Sequence, residues 1–525
     1  MSNAIQEVMH TMQRFPNQWS CLIGFLCVFW LLSPTAVTVA QEEEQTAQPA
    51  AAYPYQLYLP TVHSDMNVEE TALALKESIE DEADLALADL EMVSSAALQA
   101  VVDTTEDYKA LGYPDSRKIV RDDTGNLYIA YRKKLNGQYR IFLAKSTDQG
   151  SSWQVLNHNQ PIETVGDYTQ RVPSLAVGRN ADNTANYLHV AWYGNDSTHT
   201  GNNRQIKYTR LTTEGIAAAD GCCTAAFIID GYNGEALWQE HPTLYVNGSN
   251  VYLVWEGRDA TAANSKIKFV RSTNYGQQWT QPLNIAPATP GNFSRPALVV
   301  TYVGTQRQLY VVAYANNNGL SQIYWSRSLD NGNSWTAWQP VAATNADQRH
   351  VSIARDKAGN LHLVWRQLTS DKSRSILRYR VYDPARKQGA GAWVGSAQTI
   401  ASRSRQCLFF PSIALGSNDR VWVIWTQSKS CATLPNDNPT EGQIVYRSKA
   451  AGGKWGNPVT LTGSGAHTYA SFRSAPTPNS EVMDVTWLDI SQCVTEQPTP
   501  DVARATEEAD VTAATGCLIR YTTIQ

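Results

Sequence analysis

The sequence predicts an all-β chain folded as a propeller of four-stranded blades. Three observations carry that prediction. A unit of three strands returns seven times at a spacing of roughly 50 to 60 residues, the length of one blade. The middle strand of each unit ends on Trp or Tyr. A tight turn of the form Ser-x-Asp-x-Gly-x-x-Trp closes the third strand in several units. Such self-similarity outweighs the length of 525 residues, which alone would suit three average domains.

The chain opens with Arg14, an apolar run from Cys21 to Leu32, and Thr38-Val39-Ala40 before Gln41. This pattern predicts a secretory signal peptide over residues 1–40. The apolar run is short for a bilayer span, and no other stretch is longer, so no membrane span is expected after cleavage. A secreted or extracytoplasmic location follows. Residues 41–115 are expected to form a linker. It begins with a spacer rich in Glu, Gln, Ala and Pro, continues through a short strand at Tyr55–Leu59, and contains an acidic helix over Val68–Val102, which lacks Gly and Pro.

Residues 116–525 carry the repeats. In one unit, Pro173–Val177 is followed by Tyr187–Trp192 and Gln205–Arg210. The middle strand recurs as Leu127–Tyr131, Val251–Trp255, Leu309–Tyr314, Leu361–Trp365, Val421–Trp425 and Val482–Trp487, each alternating as a half-buried strand does. The last unit stops on its third strand. A strand from before Ser116, either Tyr55–Leu59 or Tyr108–Tyr113, is therefore expected to complete that blade and close the ring.

Sixteen Trp and twenty-five Tyr suit a densely packed β protein, and a formal charge of −5 gives no basic face for nucleic acid. Signal cleavage leaves six cysteines. In an oxidising compartment Cys407 is expected to pair with Cys431 and Cys493 with Cys517, each pair bracketing loops of one unit. The adjacent Cys222 and Cys223 are open between a vicinal disulfide and free thiols. With no CxxC spacing, His cluster or EF-hand run, neither a metal nor another cofactor is expected.

The turn motif is most complete in Arg327-Ser328-Leu329-Asp330-Asn331-Gly332-Asn333-Ser334-Trp335 and in Lys145 to Trp153. Asn274 replaces the Asp in Arg271 to Trp279, and a worn copy runs from Arg447 to Trp455. Ser and Asp side chains in these turns can bond the backbone, and Gly332 can take a positive φ. These stretches resemble the Asp boxes (BNR repeats) of sialidases and related β-propellers. The resemblance covers about residues 116–525 and implies a propeller, six-bladed in the sialidases against the seven units counted here.

Strand parity separates the two faces of such a disc. The Asp-box turns fall on one face. On the other lie residues that begin the innermost strands, including Arg171, Glu240-His241, Arg295, Arg349-His350 and Tyr469 with Arg473. Those that follow the second strands join them: Asp196, Glu256, Arg258, Arg366 and Asp489. Converging Arg residues are costly unless neutralised, and the guanidinium fork grips carboxylates in two places. Two readings stay open: a carboxylated or sulfated ligand such as an acidic sugar, or local pairing with Asp and Glu.

The sialidase resemblance implies an exo-α-sialidase or a related glycoside hydrolase, with Tyr469 as nucleophile, Glu240 as its proton acceptor and Asp196 as acid. A neutral phenol can approach a negatively charged anomeric centre without repulsion. Arg171, Arg258 and either Arg295 or Arg349 would hold the substrate carboxylate, with Arg473 at the same face. The competing expectation is a non-catalytic propeller that binds glycan or protein there.

Overall fold

The computed structural model describes residues 93–94, 99–163, 165–218, 227–228, 238–259, 263–289, 291–317, 319–371, 373–404, 406–428, 441–463, 465–473, 481–491, 493 and 516–525. Seven antiparallel sheets form a ring, so the seven-unit expectation holds and the six-bladed alternative does not. The innermost strands of blades I to VII are Ile119–Arg121, Gln170–Arg179, Trp238–Asn247, Asn292–Val303, Asp347–Arg355, Cys407–Leu415 and His467–Phe472.

Closure follows the expected logic with a different segment. Ala100–Thr105 pairs antiparallel with Cys517–Ile524 and supplies the outer strand of blade VII. Val93–Ser94 adds a parallel fifth strand to blade VI at Val459–Thr460. The helix expected up to Val102 is thus corrected to strand at its described end. Val101 and Val102 are β-branched, and Val102 is buried between blades VII and I, so sheet packing overrides the helical composition upstream. Tyr108–Tyr113 is a turn rather than a strand, and Tyr55–Leu59 lies outside the described residues.

Two repeated devices hold adjacent blades together. The first is apolar. Seven buried clusters each fill one gap between neighbouring blades, and Trp192, Trp255, Trp365, Trp425 and Trp487 of the second strands are fully buried within them. The second surrounds the channel. Side chains of the inner strands bond the next blade's backbone: Ser174 accepts from the Leu244 amide (3.0 Å), Thr243 donates to the Pro296 carbonyl (2.7 Å), and Ser412 accepts from the Phe472 amide (3.3 Å). In blade I, Lys118 does this work, donating to the Pro173 carbonyl at 2.6 Å.

The turns of the form Ser-x-Asp/Asn-x-Gly-x-x-Trp, called boxes below for their resemblance to Asp boxes, join the same system on the far face. In each of the three boxes Ser accepts from the Gly amide, and Asp or Asn accepts from the amide of the residue before Trp, as with Ser328–Gly332 (2.7 Å) and Asp330–Ser334 (2.9 Å). The box Trp packs edge-on against an aromatic of the preceding blade's third strand: Trp153 on Tyr521, Trp279 on Tyr208, Trp335 on Phe269. Gly332 has φ +91°, and an added Cβ would overlap the Phe269 ring. The turn is therefore a clamp between blades as well as a local hairpin.

The Cys493–Cys517 pairing is present, with Cα atoms 4.9 Å apart. Cys407 is also disulfide-bonded, while Cys431, Cys222 and Cys223 lie outside the described residues, as do residues 1–40, where a signal peptide is expected. No helix among the described residues is long and apolar enough to cross a membrane.

Candidate functional site

Six inner strands share one local distortion near the channel mouth. Val172, His241, Arg295, His350, Phe410 and Tyr469 all have positive φ, and in each blade the pairing register shifts at this point. Such a bulge lets one residue per blade leave the sheet and reach the ring axis. What they meet there is Tyr113. Its ring lies 5.5 Å from His241, 5.3 Å from Phe410, 5.8 Å from Tyr469 and 6.2 Å from His350, and the Arg295 guanidinium sits 3.4 Å above it. Gly112 beside it packs against Val172. The segment before blade I therefore plugs the channel with an aromatic ring. No motif in the sequence marked Tyr113; its role comes from the chain's path.

The plug places Tyr469 in an apolar setting. Its ring stacks on Phe410 at 4.7 Å, and burial raises the phenol's pKa well above the usual value. Tyr469 of blade VII and His241 of blade III reach Tyr113 from nearly opposite sides of the ring, so Tyr113 stands between Tyr469 and Glu240. A nucleophilic phenol needs a base beside it and access to substrate.

Asp196 sits among cationic and amide partners. Burial alone would raise its pKa, but Lys207 (2.7 Å) and the amides of His199 and Thr198 outweigh this and hold it at about 2. A carboxyl held ionised has no proton to donate near neutral pH.

The Arg residues each have a local partner. Arg171 donates to Asn195 (3.1 Å), Arg349 pairs with Asp347 (2.8 Å), Arg258 lies over the Trp238 ring (5.4 Å), and Arg295 covers Tyr113. Arg473 follows the end of its inner strand, at the opposite end of the blade from Tyr469, and pairs with Asp484 (2.9 Å).

One constellation remains at the mouth, on blades II and III. The antiparallel register of blade III sets Trp238 opposite Arg258 and Glu240 opposite Glu256. Side chains two residues apart share a sheet face, so these four line one side of the blade. Gln239, on the other side, accepts from the Trp255 indole (2.7 Å) and anchors the strand. Two carboxylates placed directly across an antiparallel pair repel one another. Here the repulsion is offset by Arg204 from blade II, which pairs with Glu240, and by His241 (2.7 Å) and the Arg295 amide (2.6 Å), both bonded to Glu256. The His241 bulge is what turns its imidazole onto Glu256. Tyr193 closes the back of the site, its ring 5.4 Å from that of His241.

Ligand atoms of Glu240, His241 and Glu256 lie within 4.8 Å of one another, a donor set that could take a metal ion. Arg204 already neutralises Glu240, so a cation would have to displace it. Sequence reasoning singled out Glu240, Glu256 and Arg258 but missed Trp238 and Arg204. The Trp238 and Glu240 spacing on a single strand was the available signal.

Ring closure, blade count and this mouth together define a seven-bladed β-propeller. No known protein-family model matches the chain, and no curated protein matches it in sequence. Solved structures similar to it in fold include a polysaccharide lyase described as PL25-Ulvanlyase (12% identity, 74% of this chain and 93% of that one, TM-score 0.45). Polysaccharide lyase Uly1 is similar over 79% of this chain and 91% of its own (10% identity, TM-score 0.46). The α-L-arabinofuranosidase of Fusarium graminearum is similar over 81% and 98% (10% identity, TM-score 0.40).

Proposed function

We propose that the chain is a glycan-acting propeller whose site is the mouth of blades II and III, where it cleaves a sugar chain by paired-carboxylate chemistry. The carrying observation is the cross-strand pair Glu240 and Glu256, whose carboxyl oxygens approach within 4.8 Å beside the partly exposed Trp238. Paired carboxylates about 5 Å apart suit glycosidic cleavage with retention. Trp238 offers a flat apolar face for a sugar ring, and Arg204 and Arg258 suit a substrate carboxylate or sulfate. In this reading Glu240, paired with Arg204 and so held as the carboxylate, faces the anomeric carbon as nucleophile. Glu256, oriented by His241, exchanges the proton with the leaving oxygen.

The test is a panel of fluorogenic glycosides, including a sialoside, together with acidic polysaccharides, on the secreted protein. Glu240→Gln and Glu256→Gln should each lower turnover by about 100-fold or more, while Tyr469→Phe should leave it within about twofold. Turnover that survives both Gln variants refutes the assignment. The narrower form of the proposal, an exo-α-sialidase using Tyr469, would be established by sialoside release that Tyr469→Phe abolishes.

A second reading, a binding propeller without catalysis, is favoured by the Tyr113 plug and by the local pairing of the mouth cations. Binding of an acidic glycan with no turnover on any of the panel would select it.

A further inference from the structure

Blade V departs from the clamp used by its neighbours. Its third strand, Arg374–Asp383, is followed not by an Asp box but by the longer hairpin Pro384–Gly391, with left-handed backbone at Lys387, Gln388, Gly389 and Gly391. Trp393 still takes the place of the box Trp, edge-on to Trp325 of blade IV at 6.2 Å and to Tyr382 at 5.1 Å. What is missing is the box glycine that would lie on Trp325, as Gly332 lies on Phe269 in the preceding blade. In its place is a cleft of about 700 Å³, lined by Trp325, Tyr382 and Trp393 and rimmed by Arg386 and Lys387.

From this geometry we infer that the cleft binds an anionic oligosaccharide, its sugar rings against the Trp and Tyr faces and its sulfate or carboxylate groups on Arg386 and Lys387. Three facts support a built site. The aromatic walls are held in place: Arg380 lies over Trp393 at 4.6 Å, Arg327 fixes the hairpin through the Ala390 carbonyl (2.9 Å), and Gly391 packs so close to the Tyr382 hydroxyl that no Cβ would fit. The Trp325 indole N–H is buried with no hydrogen-bond partner, in the wall of the cleft. The rim charge is positive and open: Arg386 and Lys387 are exposed, and the one ion pair Arg386 makes among the described residues is with the neighbouring Asp383 at 3.3 Å. An apolar peptide would leave those cations unmatched, whereas an acidic sugar uses both surfaces. The site stands on the Asp-box face, away from Glu240, and does not depend on catalysis there.

The test uses the full secreted chain with a chondroitin sulfate tetrasaccharide and its desulfated counterpart, read by calorimetry and Trp fluorescence at low salt. Wild type should bind the sulfated probe, more weakly as salt rises. The double variant Arg386→Ala/Lys387→Ala changes only exposed side chains, so its melting temperature should stay unchanged while affinity falls about tenfold or more. Trp393→Ala should lose the fluorescence response. Arg204→Ala at the mouth should leave this binding intact. Equal binding by wild type and the double variant, no binding of either probe, or complete loss in Arg204→Ala would each overturn the inference. Failure of the mouth assignment alone would leave the double-variant effect standing.

Discussion

At the scale of single residues, the glycine of the Asp box answers to two demands at once. Gly332 needs a left-handed backbone and also leaves room for Phe269 of the neighbouring blade; Gly150 does the same against Tyr521 where the ring closes. Gly137 has a similar φ of +83° but open space around it. Gly137→Ala should therefore cost only about 1 kcal/mol, the backbone strain alone. Gly332→Ala should cost about 3 kcal/mol, because overlap with a packed ring adds to that strain. Chemical denaturation of both variants measures the difference; equal losses would show that the box is a local turn and no clamp. The φ requirement was legible in the Asp-box pattern. The steric one was not, because Phe269 comes from another repeat.

At the scale of elements, the segment before blade I does more than link. Ala100–Thr105 completes blade VII, Asp103 accepts from Tyr131 (2.6 Å) and pairs with Lys133 (3.0 Å), and Asp107 pairs with buried Arg132 of blade I. A few residues on, Tyr113 fills the axis. Removing residues 41–105, with residues 1–40 kept, deletes the strand and keeps the plug. This truncation should lower the melting temperature by well over 10 °C, since blade VII loses its outer strand and the gap to blade I loses Val102. A truncated protein that melts like the full chain would refute the clasp. That a strand from before Ser116 must close the ring was legible, because the last repeat stops one strand short. Which strand was not: Ala100–Thr105 lies at the end of an Ala-rich acidic stretch that composition assigns to helix, and only pairing with Cys517–Ile524 decides otherwise.

At the scale of the whole molecule, stability rests on seven similar interfaces, and several bury ionisable groups. His189 is held neutral: burial, helped by Arg210, lowers its pKa to about 3. The unfolded chain protonates this group below about pH 6.5 while the folded chain does not, so stability is full above that pH and falls as pH drops toward 3. One such group contributes a slope of about 1.4 kcal/mol per pH unit over that window. Asp196, held at about 2 by Lys207 and the His199 and Thr198 amides against the effect of burial, adds a loss of the same sign below about pH 4. Denaturation midpoints should therefore be flat from pH 7 upward through near-neutral values as far as these two groups are concerned, and fall steadily from pH 6 to 4. His189→Gln should flatten the upper part of that fall. An unchanged slope in the variant would assign the acid sensitivity elsewhere.

Legible in the sequence were the strand period, the second strands ending on Trp or Tyr, the Ser-x-Asp-x-Gly-x-x-Trp turns, a count of seven units and the Cys493–Cys517 pair, while the ring itself excluded six blades. All of these are local patterns or follow from counting repeats, and each repeat meets the same neighbours. What surrounds each candidate residue came from the tertiary structure alone. Tyr469 and Asp196 matched a sialidase pattern in chain order, but function depends on what stands beside a group. A plug from another segment covers Tyr469, and Lys207 holds Asp196 ionised. Glu240 came from the same pattern, but its partners are new: the register sets it across from Glu256, and the blade II arginine makes that pairing tolerable. In a ring, position along the chain sets the blade, while the groups that meet at the axis come from several blades at once, and no linear spacing encodes their meeting.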